Sequence, residues 1–112
     1  MLSRKYRLKK EKDFELVFKK GKTFSSKFLF LKIRKNNFGI SRFGFVIGKR
    51  ITKKSTVRNK IKRRLREVIR KKIEKIKPGF DVVIIGRPEI VDKDYQTIDE
   101  AVGKLFKEGR LI

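Results

Sequence analysis

The chain has 112 residues, the size of one domain with a modest core, and its 34 basic and 12 acidic side chains give a net charge of +22. So large a positive charge opposes compaction through self-repulsion and indicates a polyanionic partner. The absence of cysteine and histidine excludes disulfides, thiolate metal sites and the commonest general base. No signal peptide or membrane span is apparent, so we expect a cytoplasmic protein that does not associate with membranes.

The chain begins with a basic arm over residues 1–12, which we expect to be disordered alone and to order on RNA. Its basic side chains include Arg7, Lys9 and Lys10. Apolar spacing then predicts a helix over residues 11–20, ended by Gly21. Phe14 and Phe18 lie one turn apart on this helix, where they serve either core packing or a stacking surface at the edge of a groove.

Alternation predicts a strand over residues 27–35, preceded by a short strand around Phe24. One face of the longer strand is apolar. The other face carries Phe28, Phe30, Lys32 and Arg34. Two rings followed by two cations suit unpaired bases and their phosphates. The alternative is a strand buried on both faces, with its charges at a frayed end.

The next predicted strand covers residues 42–50, and we expect it to pair with the preceding strand as a hairpin across the turn at 36–41. Gly44, Gly48 and Arg50 share one face of this strand. The two glycines either leave a shallow floor that a ligand or backbone approaches closely, or mark a bend.

The most basic stretch, residues 49–77, holds fifteen Lys or Arg and two acids and predicts a helix over 56–77, capped by Ser55 or Thr56. Its inward stripe consists of Val57, Ile61, Leu65 and Val68. At about 100° per residue, one outer arc collects Asn59, Lys62, Arg63, Arg66 and Arg70. Release of counterions favours the binding of such a face to phosphates. The alternative, a merely solvated face, is disfavoured because almost no acids balance the charge.

The remaining sequence predicts a buried strand over residues 80–86 and a helix that begins at the Thr97–Glu100 capping box or one turn earlier, at Asp94. A strand, helix and strand in succession imply a parallel crossover. The order α-β-β-(β)-α-β-α describes a single α+β RNA-binding domain over residues 1–112, with a mixed sheet covered by helices on one side. Because 29 of the 34 basic residues lie within 1–77, we expect the nucleic-acid surface there.

No catalytic constellation is apparent in the sequence. A Mg²⁺ site is imaginable at Asp92, Asp94, Asp99 and Glu100. A helix start enriched in acids explains these residues better, because acids there favour the helix dipole. We therefore expect neither catalytic nor metal-binding residues in this chain.

Three segments in order resemble the protein subunit of bacterial ribonuclease P. They are Arg7-Leu8-Lys9-Lys10 with Asp13-Phe14-x-x-Val17-Phe18-Lys19-x-Gly21; Gly44-Phe45-Val46-Ile47-Gly48-Lys49-Arg50; and Arg58-Asn59-Lys60-Ile61-Lys62-Arg63-x-x-Arg66-Glu67. Gly79-Phe80-Asp81 and Arg87-Pro88 also fit, so the resemblance covers nearly the whole chain. The third segment is similar to the family's Arg-Asn-Arg signature, with Lys60 replacing the last arginine; the lysine keeps the charge and loses the bidentate fork.

The resemblance implies a two-layer fold similar to the second domain of ribosomal protein S five, with a left-handed strand-helix-strand crossover. It implies an endoribonuclease whose RNA subunit removes the 5′ leader of precursor tRNA with Mg²⁺, one protein acting per RNA. The implied leader cleft is lined by Phe14, Phe18, Phe28, Phe30, Lys32 and Arg50. The implied contacts to the RNA subunit, or to phosphates beside the cleavage site, are Arg58, Asn59, Lys62, Arg63, Arg66 and Arg70.

Two other functions compete with this interpretation. A ribosomal or other structural RNA-binding protein fits the charge and size equally well, and only the order of the motifs favours ribonuclease P. A DNA-binding protein that lays the basic helix in the major groove is disfavoured, because the helix lies within a strand-helix-strand unit and has no helix-turn-helix partner.

Overall fold

The computed structural model describes residues 2–112 and contains one four-stranded sheet and three α-helices. The helices are α1 (Glu11–Lys20), α2 (Ser55–Lys72) and α3 (Tyr95–Glu108). The strands are β1 (Lys22–Ser25), β2 (Leu29–Lys35), β3 (Arg42–Val46) and β4 (Phe80–Gly86). Short 3-10 turns cover Arg4–Tyr6, Ile73–Lys75 and Pro88–Asp92. The predicted α+β class and element order are confirmed.

The order of strands in the sheet is β1-β2-β4-β3. β2 pairs antiparallel with β1 and β4, and β3 pairs with β4 in parallel. The predicted parallel crossover through α2 is therefore confirmed. The predicted hairpin between β2 and β3 is wrong, because β4 lies between them. β4 takes the central place because its run of apolar residues can be buried on both faces.

The two faces of the sheet carry different layers. Val82 and Ile84 of β4 belong to the main core beneath α2 and α3, whereas Val83, between them, packs with Leu8 and Val17. Neighbouring side chains of a strand point to opposite faces, so α1 lies on the face opposite α2 and α3. The prediction that helices cover one side only is therefore wrong, and α1 leaves part of its own face open.

The observed helix boundaries agree with some of the predicted starts and caps and not with others. α1 has the predicted bounds. α2 begins one residue earlier than predicted, and its N-cap is Lys54, without a side-chain capping bond, so the predicted capping by Ser55 or Thr56 is wrong. α3 uses the earlier of its two predicted starts, since the Asp94 carboxylate accepts a hydrogen bond of 2.8 Å from the Thr97 N–H.

The basic arm packs against the body of the protein. Leu2 and Leu8 are buried, Arg7 pairs with Phe43 as an isolated parallel bridge, and the Leu8 N–H donates to the Phe43 carbonyl at 2.8 Å. The expectation of a disordered arm is therefore wrong for residues 2–10, while Met1 lies outside the described residues. The leucines dock a segment whose charges alone suggested disorder.

Candidate RNA-binding surfaces

A polar network fixes α1 on the sheet. The Arg42 guanidinium donates two hydrogen bonds to Asp81, at 2.9 and 2.7 Å, and one to Asp13 of α1 at 3.4 Å. The Asn36 amide donates to the same Asp81 carboxylate at 2.8 Å. The hydrogen bonds to Asp81 raise the pKa of Arg42 above its ordinary value. Because Asp81 is 1% exposed, this pairing holds the start of α1 at a defined place on β3 and β4.

Phe14 occupies the floor predicted at the strand glycines. A Cβ placed on Gly44 would lie 2.4 Å from Cζ of the Phe14 ring, so the absence of a side chain there makes room for the ring. The close approach expected at Gly44 is thus made by a ring of the chain itself, and Gly44 is not open to a ligand. Nothing lies within 4 Å of such a Cβ at Gly48. Phe14 is thus partly a packing residue and forms the inner wall of the space beside α1.

Phe18 lies one helical turn beyond Phe14 and is 41% exposed. Residues four apart share a side of a helix, so the two rings continue one aromatic side of α1. Phe38, on the loop between β2 and β3, is more exposed, at 64%, but stacks with the Arg42 guanidinium at 4.3 Å. Phe18 therefore presents an open ring at the edge of the face that α1 leaves uncovered.

The uncovered part of the sheet combines rings, apolar side chains and cations. Phe30 of β2 lies opposite Ile85 of β4, which lies beside Val46 of β3, and all three are partly exposed. Lys32 follows on the same face of β2. We call this surface, between α1 and the row Phe30–Ile85–Val46, the cleft. An apolar floor with a cation beside it is suited to unpaired bases and their phosphates.

Arg87 is a further cleft residue, outside the set predicted from the sequence. Its guanidinium lies 5.1 Å from the centroid of the Phe30 ring. Its buried Nε has no hydrogen-bond partner among the described residues. The available signal was alternation, because Arg87 directly follows β4 and shares the parity of Ile85. Arg87 thus adds a second cation to the cleft.

Of the predicted cleft residues, Phe28 lies elsewhere and Arg50 lies beyond the end of its strand. Phe28 precedes β2, is 9% exposed and belongs to the main core cluster, with the Lys93 ammonium 5.7 Å from its ring centroid. The prediction that it shares the open face with Phe30 is wrong, because β2 begins only at Leu29. β3 ends at Val46, so Arg50 lies in an exposed turn beyond the strand. No contact of Arg50 with the rings of the cleft is apparent among the described residues.

The six predicted basic-face residues all lie on α2, and we call them the basic helix face: Arg58, Asn59, Lys62, Arg63, Arg66 and Arg70. The buried residues of the helix are Ile61, Leu65, Val68 and Ile69. Arg58 donates to the Thr52 carbonyl at 2.9 Å, which ties down the segment before α2. The six residues thus lie on one rigid helix. They differ in whether a neighbouring carboxylate already neutralises their charge.

Arg70 is partly neutralised within its own helix. Its Nε donates to Glu67 at 3.0 Å, and a second hydrogen bond joins the same two side chains. The hydrogen bonds from Arg70 lower the pKa of Glu67. Within residues 2–112, Lys62, Arg63 and Arg66 form no salt bridge. The centre of the face therefore carries the uncompensated charge.

The N-terminal arm and α2 meet around a cavity of about 220 Å³, which we call the corner cavity. Its cations are Arg7 and Lys9 from the arm and Lys62 and Arg66 from α2. Burial and, secondarily, the charge of Arg7 lower the pKa of Arg66. Cations converging without a carboxylate are suited to a phosphate group. Two of the predicted arm residues, Arg7 and Lys9, thus line the same cavity as two residues of the basic helix face. The third, Lys10, is exposed and is the N-cap of α1.

The acidic residues, unlike the basic residues of α2 and the N-terminal arm, do not form a cluster. Among the described residues, no three His, Cys, Asp or Glu side chains lie close enough together to hold a metal ion. The predicted acids at the start of α3 act locally, since Asp94 caps the helix and Asp99 pairs with Lys72 at 2.9 Å. None of the helices described for residues 2–112 combines the length and apolar composition required to cross a membrane.

Comparison with known proteins identifies the family. The family model Ribonuclease P matches residues 2–109. A ribonuclease P protein component from Alkaliphilus oremlandii is 38% identical over 106 residues, covering 95% of this chain and 92% of the relative. Among solved structures, the RNase P protein from Thermotoga maritima is 35% identical with a TM-score of 0.81, covering 90% of this chain and 96% of the other.

The RNase P protein of Staphylococcus aureus is 27% identical with a TM-score of 0.86, and 95% of this chain and 96% of the other are covered. These matches decide between the competing interpretations in favour of the first. The chain therefore belongs to the ribonuclease P protein component family and is the protein subunit of ribonuclease P, a tRNA-processing enzyme.

Proposed function

We propose that this subunit holds the single-stranded 5′ leader of precursor tRNA in the cleft, while the basic helix face and corner cavity contact the ribonuclease P RNA. One protein acts per RNA, and cleavage of the phosphodiester bond is carried out by that RNA. The observation that carries the proposal is the cleft itself, where partly exposed rings lie beside cations without ion-pair partners among the described residues. Such a surface is suited to an unpaired strand.

The chemistry of the cleft supports leader binding without a fixed sequence. The rings of Phe18 and Phe30 stack on any base, since every base has a π-face. Lys32 and Arg87 supply charge to the strand's phosphates. Few directional donors or acceptors line the row Phe30–Ile85–Val46, so little in it distinguishes one base from another. Leader affinity therefore depends on the presence of unpaired nucleotides more than on their identity.

The basic helix face supports contact with folded RNA. Lys62, Arg63 and Arg66 lie on one rigid helix with their charges uncompensated among the described residues. Neutralising phosphates with such side chains releases counterions and makes the affinity strongly dependent on salt. Arg7 and Lys9 add charge from the arm, so one backbone phosphate in the corner cavity would relieve the repulsion around Arg66. Folding of the arm against the body pre-forms this contact.

The donor groups that this chain offers support the assignment of catalysis to the RNA. The protein lacks histidine and cysteine, and no three of its described carboxylates lie close enough together to hold a metal ion. When bound, Mg²⁺ supplies charge stabilisation and an activated water, and phosphate oxygens of the RNA and substrate are its natural ligands. The protein's own part is to bind the leader and to neutralise phosphates near the cleavage site.

Reconstitution tests this proposal. Precursor tRNA is incubated at low Mg²⁺ with a ribonuclease P RNA from the protein's own source, with the protein, and with both. We expect cleavage at the mature 5′ end when both are present and none with protein alone. Arg66→Ala should weaken assembly, which raising the protein concentration restores. Cleavage by the protein without RNA would refute the assignment of catalysis, and a lack of stimulation would refute the proposed role.

A further inference from the structure

A second cavity lies at the edge of the sheet that β1 forms, and neither α2 nor the row Phe30–Ile85–Val46 contributes to its lining. We call it the edge cavity. It has a volume of about 590 Å³. Its cationic lining comes from α1, β1, β2 and the end of α3: Lys20, Lys22, Arg34, Lys35 and Arg110. The Phe24 and Phe80 rings provide apolar wall, and Glu108 is the one acid in the lining. Five cations from four separate elements thus converge with little compensation.

The edge cavity is distinct from the cleft. Phe24 lies opposite Leu31 in the β1–β2 register, and Phe80 alternates in phase with Val82. Both rings therefore point to the face covered by α2 and α3, whereas Phe30 points to the other face. Both rings are partly buried against the main core and partly exposed. A base against these two rings would therefore lie outside both the cleft and the basic helix face, although Arg34 shares the alternation phase of Phe30 and reaches the cavity around the edge of the sheet.

The charges of the edge cavity differ from those of an ordinary solvated surface. None of the salt bridges formed by residues 2–112 includes its five cations. A comparably basic groove between α2 and α3 also contains Asp99 and Glu100, and Asp99 pairs there with Lys72 at 2.9 Å. That groove compensates part of its own charge. The edge cavity leaves its charge available for an anionic ligand.

Arg110 occupies a backbone position that favours glycine. Its φ is 60°, in the left-handed region that L-residues other than glycine rarely adopt. The Leu111 N–H donates to the Phe106 carbonyl and the Arg110 N–H to that of Lys107, which is the Schellman ending of α3. The adjacent Gly109 has φ −81°, and a Cβ there would lie 2.5 Å from Ile33. The arginine is thus held in the cavity wall against its backbone preference.

We infer that the edge cavity binds an unpaired nucleotide of RNA, with the base against the Phe24 and Phe80 rings and the phosphate among the cations. Rings beside uncompensated cations fit this chemistry, whereas an acidic peptide would need the cations alone. The nucleotide comes either from the ribonuclease P RNA or from the substrate beyond the leader cleft. This inference rests on the proposed function only in taking RNA as the ligand.

The test uses a variant that should not harm the fold. Arg110→Gly relieves the backbone and removes a cation, so we expect higher thermal stability together with weaker RNA binding. It is combined with Lys35→Ala, an exposed site. The control, Lys75→Ala/Lys104→Ala, removes the same charge from the groove between α2 and α3. One arm measures affinity for the ribonuclease P RNA, and the other measures affinity of the assembled holoenzyme for precursor tRNA.

We expect the edge-cavity variant to lose about tenfold in affinity relative to the control, in one arm, with a salt dependence flatter by one to two phosphate contacts. The affected arm identifies the source of the nucleotide. Phe24→Leu, which keeps apolar volume and removes the ring, should weaken the same arm.

Equal affinities of the two double variants in both arms would overturn the inference. So would unchanged RNA binding together with lost binding of a glutamate-rich peptide, which would mark a site for acidic protein. The proposal that the cleft holds the leader is tested separately, by whether substitutions in the cleft abolish the difference in affinity between precursor and mature tRNA. The RNA-affinity arm stays interpretable in that case.

Discussion

Phe18→Ala separates leader binding from every other contact of the protein. The side chain lies on the open side of α1, so its removal leaves Phe14 seated on Gly44 and α1 anchored through Arg42. Complete burial of a phenylalanine stabilises a fold by about 1.5–3 kcal/mol. Because Phe18 is 41% exposed, its truncation should cost roughly 1–2 kcal/mol of stability, which leaves the protein folded.

The same substitution should leave the protein folded but clearly lower its affinity for precursor tRNA. A base stacked on an aromatic ring contributes about 1–3 kcal/mol, which corresponds to roughly 5- to 150-fold in Kd. A partly open ring belongs near the lower half of that range, so we expect about a tenfold loss for precursor tRNA. Mature tRNA has no leader, and its affinity should stay within about twofold.

The assay measures the affinity of the assembled holoenzyme for precursor and mature tRNA under the same salt and Mg²⁺. Phe38→Ala is the matched control, because Phe38 is an even more exposed phenylalanine, on the loop between β2 and β3. An equal loss for both tRNAs would refute the idea that the cleft holds the leader. An equal loss with Phe38→Ala would show that the effect belongs to exposed rings in general.

Three further predictions follow from the same geometry. Arg63→Ala should reduce the salt dependence of RNA binding by about one phosphate contact, and an unchanged slope would mean that this side chain does not touch the backbone. Gly44→Ala should displace the Phe14 ring at a cost of about 1–3 kcal/mol, and Phe14→Leu in that background should restore part of the loss in a denaturation series. Hydrogen bonds from Thr97 lower the pKa of Asp94, so its stabilisation is present above the unfolded pKa near 4 and is lost as the pH falls through the folded value. Asn still caps a helix but does not titrate, so Asp94→Asn should make the free energy of unfolding depend less on pH in that range. The same pH dependence in both proteins would mean that protonation of Asp94 does not affect stability.

Local pattern was sufficient for most elements of this fold. The apolar spacing of α1 and its glycine stop gave its bounds, and the apolar run of residues 80–86 gave β4 as an interior strand. Strand partners depend on segments far apart in the chain, so the sequence offered no signal that β4 would separate β2 from β3. A hairpin is the default for neighbouring strands, and here it was wrong.

The candidate site was predictable where it follows from periodicity. The basic helix face required only that α2 be a helix, and the Phe30–Lys32 face required only alternation. Phe28 was misplaced because alternation does not reveal where a strand begins. The docked arm was missed because its charges outweighed the leucines that bury it, and Arg87 was missed because its role depends on the distant Phe30 ring.

The central position of β4 also constrains how the protein is made. Residues 80–86 lie between β2 and β3 in the finished sheet, so during synthesis β3 has no strand neighbour until residues 80–86 have left the ribosome. By then all 29 of the basic residues within 1–77 have emerged, without the strand that organises them. The nascent chain is therefore a polycation before it is a folded protein. Folding awaits one late segment, and early encounters with RNA precede a complete binding surface.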